Sequence, residues 1–213
     1  MFREKYSKRW KSEREKRKKF CHRYNIIPEK FLKSPIFEFG SGEGIRQVEC
    51  KHKKFFLESD YLGIDLLEHI RPELNIIQED ILQFKTNRKF TTILSIGTLE
   101  HIPLDKWSFV VDKLKNLCVK KGNIVIFVPY KESVNQYMNG VEDHLVFGIT
   151  KEFMLHFFPE AKVKIIYEEM LRQHGESLIW AIGRWFKRLM MLDLKIFKII
   201  PRRVGLLVIW ENT

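Results

Sequence analysis

The segment Pro35–Gly44, PIFEFGSGEG, limits what this chain can fold into more than any other stretch. An apolar run (Ile36, Phe37, Phe39) stops at Gly40-Ser41-Gly42-Glu43-Gly44. Such a run reads as a buried strand feeding a glycine loop, with a helix after it. Glycines there let the backbone turn tightly and approach a ligand with no Cβ in the way. Later runs repeat the pattern: Tyr61-Leu62-Gly63-Ile64-Asp65 ends in an acid, and Leu74–Ile77 is followed by Glu79 and Asp80. Candidate strands fall at 35–39, 61–65, 74–77, 91–96 and 123–128, and candidate helices at 43–56 and 105–119. This alternation predicts a parallel sheet covered on both faces. Three strands that end in a glycine loop or an acid describe one pocket rim. In nucleotide-binding α/β folds, an acid where Asp65 stands takes ribose hydroxyls.

A chain of 213 residues fits one α/β domain with appendages. The net charge is +11 and the pI about 9.5. That charge suits a polyanionic partner or an anionic membrane surface, and equally a solvated lysine-rich surface. Cys21, Cys50 and Cys118 are odd in number and widely spaced, with no CxxC, so neither a disulfide framework nor a zinc site is expected. A reducing cytoplasm fits, and no apolar signal core stands near the N-terminus.

Residues 1–30 read as a basic helical arm ahead of a domain spanning 31–213. Within residues 1–24, eleven Lys and Arg face three Glu, and Phe2, Tyr6, Trp10, Phe20 and Tyr24 recur at helical spacing. The arm is either an anchor for RNA, phosphate or lipid headgroups, or a helix whose aromatics pack on the domain. Residues 129–149 read as a loop punctuated by Pro129, Asn135, Asn139, Gly140 and Gly148. Thr150 is set to cap a helix through Phe157, and Lys162–Glu168 and Leu206–Trp210 read as the last two strands.

Between those strands lies a helical insertion at about 171–203, far beyond an ordinary hairpin loop. In residues 178–200, Leu178, Ile182, Trp185, Phe186, Leu189, Leu192, Ile196 and Ile199 share one helical face, while Arg184, Lys187, Arg188, Lys195 and Lys198 lie mostly on the other. The charges argue against a transmembrane span. A basic amphipathic helix of this kind either lies in a membrane interface or packs as a lid or dimer seam.

Taken in order, the motifs resemble the class I S-adenosylmethionine-dependent methyltransferases. The loop is GxGxG, with Ile45 where a dinucleotide fingerprint has its third glycine. Ser95–Pro103, SIGTLEHIP, is similar to the family's fourth motif in its LEH form, as in the methyltransferase-11/-23-like subgroup. Lys121-Gly122-Asn123 resembles the turn into its fifth strand. The resemblance implies a Rossmann-like, doubly wound, mostly parallel seven-stranded sheet with an antiparallel last strand and helices on both faces. It implies S-adenosyl-L-methionine as cofactor. Gly40, Ser41, Gly42 and Gly44 would meet the methionyl end, with Glu38 ordering the loop. Asp65 would meet the ribose and Asp80 the adenine amino group, with backbone amides near Asp80 and Ile81 on the ring nitrogens, and Leu66, Glu79, Ser95, Ile96 and Gly97 would complete the cofactor-binding set. Asp65 and Asp80 could instead be acids that cap turns.

His101 and His144 are the base candidates for deprotonating an acceptor, although Glu100-His101 could instead shape the turn after the fourth strand. Glu100-His101 also matches the second half of an ExxEH motif with which one subgroup holds a divalent metal. Gly97 stands where the first Glu belongs, so no metal is expected. The expected activity is methyl transfer to a small or lipid-linked acceptor, at the inner face of a membrane if the 178–200 helix lies there. The alternatives are an RNA or protein methyltransferase using the basic arm, and a catalytically silent cofactor-binding module. Gly97-Thr98-Leu99-Glu100 offers no amide-gripping Asn-Pro, which weighs against N-methylation of nucleic-acid bases.

Overall fold

The computed structural model describes residues 22–68, 71–131, 144–167 and 203–213. Most of the basic arm and the 171–203 insertion therefore lie outside the described residues. The strands are β1 (Ile36–Phe39), β2 (Tyr61–Asp65), β3 (Ile76–Gln78), β4 (Phe90–Ile96), β5 (Cys118–Pro129), β6 (Lys162–Tyr167) and β7 (Arg203–Glu211). The helices are α1 (His22–Asn25), α2 (Ile45–Glu49), α3 (Lys53–Glu58), α4 (Trp107–Leu117) and α5 (Lys151–Phe157).

One seven-stranded sheet runs in the order β3-β2-β1-β4-β5-β7-β6. Pairings from β3 through β5 are parallel, and β7 runs antiparallel to both β5 and β6. This is the expected Rossmann-like sheet with its reversed last strand. After β1 the chain winds outward to β2 and β3, then returns to β4 on the other side of β1. The crevice between β1 and β4 is thus the topological switch point, where open α/β sheets take their ligands.

Period-two alternation divides the core between the two faces. Ile124, Ile126 and Val128 of β5 join Trp107, Val110 and Leu114 of α4 on one face. Val125 and Phe127 join Tyr24, Ile27 and Phe56 on the other. All four residues of β1 are buried, as a strand covered on both sides requires. Tyr167 pairs with Arg203, and Pro129 pairs with Gly205. Both ends of the stretch between β6 and β7 therefore stand at the edge where the parallel strands finish.

Several boundaries differ from the sequence reading, each for a tertiary reason. The expected arm boundary at residue 30 falls inside the packed domain, because Tyr24, Ile27, Phe31 and Leu32 are all buried. The expected helix at 43–56 is two short helices. Asn25 Oδ1 accepts the backbone N–H of Lys51 at 2.7 Å, drawing it away from the helical ladder. That helix also starts late, since Gly44 is left-handed at φ 75°. The third strand lies at Ile76–Gln78, two residues beyond its expected start. β5 begins at Cys118 rather than 123, because its register with β4 jumps from Phe90↔Cys118 to Thr92↔Asn123. Lys121 takes up the irregularity at φ 62°. The α5 cap is as expected: Thr150 accepts from the Phe153 N–H at 3.1 Å.

Candidate functional site

A cavity opens at the switch point. Its walls come from the glycine loop (Gly40, Ser41, Gly42), the end of β2 (Asp65, Leu66), the turn after β3 (Glu79, Asp80, Ile81) and the end of β4 (Ile96, Gly97). His101 also lines it. The fold thus gathers most of the residues singled out from sequence onto one surface. Glu38, Gly44, Ser95 and His144 are not on that surface.

The loop is held open by its backbone. Gly40, Gly42 and Gly44 all have positive φ, between 62° and 76°. The N–H groups of Gly40 and Ser41 donate to the carbonyl of Ile64 at 2.9 and 3.2 Å, fixing the loop to β2. A Cβ at Gly40 would stand 2.1 Å from Thr98 Oγ1, so no side chain fits there. At Gly42 a Cβ would meet nothing within 4 Å. That space is open. Ser41 has a buried hydroxyl with no hydrogen-bond partner among the described residues.

Asp65 ties the second wall to the first. One carboxylate oxygen accepts from Gly42 N and the other from Leu67 N, each at 2.8 Å. Burial pushes its carboxyl pKa up, against the opposing pull of these backbone bonds and of His101. Asp80 likewise accepts from Leu82 N at 2.9 Å. Both acids therefore serve turns, as one sequence reading expected, and both also line the cavity. A carboxylate has about four acceptor sites, so these bonds leave room for a ligand's donors. Lys113 of α4 steadies the same turn, donating to the carbonyls of Ile81 and Phe84 at 2.7 and 3.1 Å.

Glu38 sits behind the loop, fully buried. It accepts from Tyr24 Oη at 2.5 Å, Tyr61 Oη at 2.6 Å and Gln47 Nε2 at 2.8 Å. Gln47 Nε2 also donates to the carbonyl of Ser41 at 3.0 Å. Glu38 therefore reaches the loop through Gln47 and does not face the cavity. Burial raises its pKa, while the three donors favour the ionised form. Glu38→Gln would remove the charge and turn one acceptor into a donor, so that at least one of the three donors loses its acceptor. The mismatch is expected to cost about 1–3 kcal/mol, lowering Tm by roughly 2–12 °C for a chain of this size. An unchanged melting curve would show that the network is not tensioned by the carboxylate.

His101 and His144 are brought together, with ring centroids 4.7 Å apart and planes at 71°. His101 belongs to the short 3-10 turn Leu99–His101 after β4. His144 arrives from a distant segment whose Leu145 and Val146 N–H groups both donate to the carbonyl of Glu100, at 2.8 and 3.1 Å. Leu145 and Phe147 beside it are 44% and 48% exposed, which leaves apolar surface next to the histidine pair.

Sequence reasoning missed Tyr24, Glu43, Arg46 and Thr98, which also line the cavity. Gln47 was missed too, although a glutamine three residues after the glycine loop, on a helix that must pack against β1, is a signal that could have found it. Tyr24 was visible as an aromatic of the arm but not as a wall of the site.

No family model and no curated protein sequence matches this chain. Solved structures do. A SAM dependent methyltransferase from Archaeoglobus fulgidus aligns with a TM-score of 0.63 at 15% identity, covering 97% of each chain. The plantazolicin methyltransferase BpumL, in complex with a triazolic desmethylPZN analog and SAH, aligns at 0.58 and 15%, covering 99% of this chain and 90% of that one. The N-methyltransferase NodS from Bradyrhizobium japonicum WM9 aligns at 0.51 and 13%, covering 93% and 96%. At these identities the likeness is one of fold.

Proposed function

We propose that this chain is an S-adenosylmethionine-dependent methyltransferase acting on a small or lipid-linked acceptor. The observation that carries the proposal is the cavity at the switch point. It joins a three-glycine loop with ligand space at Gly42 to a carboxylate at the end of β2. The cofactor's parts fit those donors and acceptors. The methionyl end suits the glycine loop and the Ser41 hydroxyl, the ribose diol suits Asp65, and the adenine suits the turn at Asp80 and Ile81. Charge-assisted bonds to the diol are the stronger class. Solved methyltransferases of the same fold, one of them holding SAH, support this choice of cofactor.

When bound, the cofactor supplies an electrophilic methyl group. The chain's own residues would then align an acceptor and take its proton. Orientation supplies much of the rate in such a displacement. His101, which lines the cavity, and His144, in ring contact with it, would be the groups to take that proton.

Two features favour an apolar acceptor. Leu145 and Phe147 expose apolar surface beside the histidines. The stretch between β6 and β7, with its amphipathic 178–200 sequence, is rooted at the same edge of the sheet. No helix among the described residues is long and apolar enough to cross a membrane, so contact with lipid would be peripheral.

The test is incubation of the full chain with cofactor labelled in the methyl group and a fractionated cell extract. Label is expected in the lipid or small-molecule fraction. Label in RNA or protein would replace the acceptor class with that of the basic arm. Binding of S-adenosylhomocysteine with no label transferred to any fraction would leave a silent cofactor-binding module.

A further inference from the structure

Behind the cavity wall, three side chains combine metal-ligand chemistry with a built position. Glu100, His101 and His144 each offer one ligand atom, and these atoms all lie within 4.8 Å of one another. Glu100 is 1% exposed, whereas a solvated surface acid would be open to water. The two imidazoles are half-buried and already in ring contact. The third ligand is not on the LEH turn. The paired bonds from Leu145 and Val146 to the Glu100 carbonyl deliver it, and buried Val146 and Ile149 root that segment in the core.

We propose that Glu100, His101 and His144 bind one divalent transition-metal ion beside the cofactor cavity. Two imidazoles and a carboxylate suit zinc, iron, cobalt or manganese better than magnesium, which prefers an all-oxygen shell. Metal–ligand lengths of roughly 2.0–2.2 Å set neighbouring ligand atoms about 3–3.5 Å apart, so modest rotation of the imidazoles closes the set. Three protein ligands leave coordination positions open, and His101 puts the ion at the cavity wall. If the chain transfers methyl groups as proposed above, an acceptor oxygen could fill an open position and be polarised there, and with the ion bound His101 and His144 would serve as its ligands rather than as proton acceptors. The sequence-based expectation of no metal counted only the LEH turn and the missing acid at Gly97. The fold supplies a ligand from 43 residues further along the chain.

Among the described residues, Arg23 shares these surroundings. Arg23 Nη1 and Glu100 Oε1 lie 2.2 and 3.5 Å from where a Cβ on Gly97 would stand. A guanidinium so close opposes a second positive charge. Removing it should therefore tighten metal binding.

The experiment titrates the full chain, freed of metal, with Co²⁺ and then Zn²⁺, following visible absorption and heat. One equivalent of Co²⁺ is expected, with the absorption of a nitrogen- and oxygen-ligated ion, displaced by one equivalent of Zn²⁺. His144→Ala is expected to weaken binding by more than the roughly 10–100-fold that loss of a supporting contact gives. Arg23→Ala is expected to strengthen it. The far-UV circular dichroism and melting curve of His144→Ala serve as the folding control. Should that variant fail to fold, Glu100→Gln replaces it, with the same loss expected. The proposal is overturned if the wild type binds no stoichiometric Co²⁺ or Zn²⁺. It is also overturned if the folded variant binds as the wild type does, or if Mg²⁺ competes at equal concentration. Metal binding is read without any methyl acceptor, so its failure leaves the proposed function standing. Failure of the homocysteine product to bind would instead count against that function alone.

Discussion

Gly42→Val is expected to abolish binding of S-adenosylhomocysteine while leaving the far-UV circular dichroism unchanged. Two effects act together. The backbone at Gly42 has φ 62°, a conformation that a β-branched residue resists. Left-handed backbone costs an L-residue about 1–2 kcal/mol, or roughly 5- to 30-fold if it falls wholly on affinity. The larger effect is steric. A Cβ there meets no protein atom within 4 Å, so the new methyl groups project into the space that the loop reserves. The loop's anchors, Gly40 N and Ser41 N on the Ile64 carbonyl, are untouched, which is why the fold should survive. Isothermal titration decides the matter. Near-normal affinity in a folded Gly42→Val protein would remove the glycine loop from the site.

Asp65→Ala is expected to weaken the same ligand about 10- to 150-fold, the span for losing bonds to a charged acceptor. The structure adds a second route to that loss. Asp65 accepts from Gly42 N, so its removal also loosens the loop on which the methionyl end would rest. Asp65→Asn separates the two contributions, because it keeps the side chain's shape and one acceptor but presents an N–H to one of the two backbone donors. Its affinity should fall between wild type and alanine. Acidification should mimic the substitution. A ribose diol needs the ionised carboxylate, and burial raises the Asp65 pKa. Wild-type affinity should thus decline at a higher pH than an ordinary aspartate would give, and Asp65→Asn should flatten that decline. Unaltered affinity in Asp65→Ala would withdraw Asp65 from the site.

The parts of this molecule that were legible in sequence are those written locally. Strands buried on both faces read as continuous apolar runs, and β1, β2 and β4 were therefore placed to within a residue. Left-handed glycines mark a turn whatever surrounds it, so the loop was visible. What could not be read depends on partners far along the chain. The helix after the loop breaks because Asn25, 26 residues earlier, claims the Lys51 N–H. Glu38 turns away from the cavity because Tyr24 and Tyr61, 14 and 23 residues distant, converge on its carboxylate. Its role in the loop passes through Gln47, which carries no motif. The meeting of His144 with Glu100 and His101 depends on two backbone bonds that no local pattern announces.

The placement of β6 and β7 bears on how such a chain can change over generations. These strands hang from β5, on the far side of β4 from the glycine loop, so the cavity at the switch point shares no strand with them. Yet Tyr167 and Arg203 leave and rejoin the sheet at the edge where that cavity opens. A single uninterrupted length of chain can therefore be lengthened, shortened or exchanged wholesale with every strand pairing intact. Inheritance could alter the length of chain between β6 and β7 in one recombination event, without disturbing the residues that line the cavity.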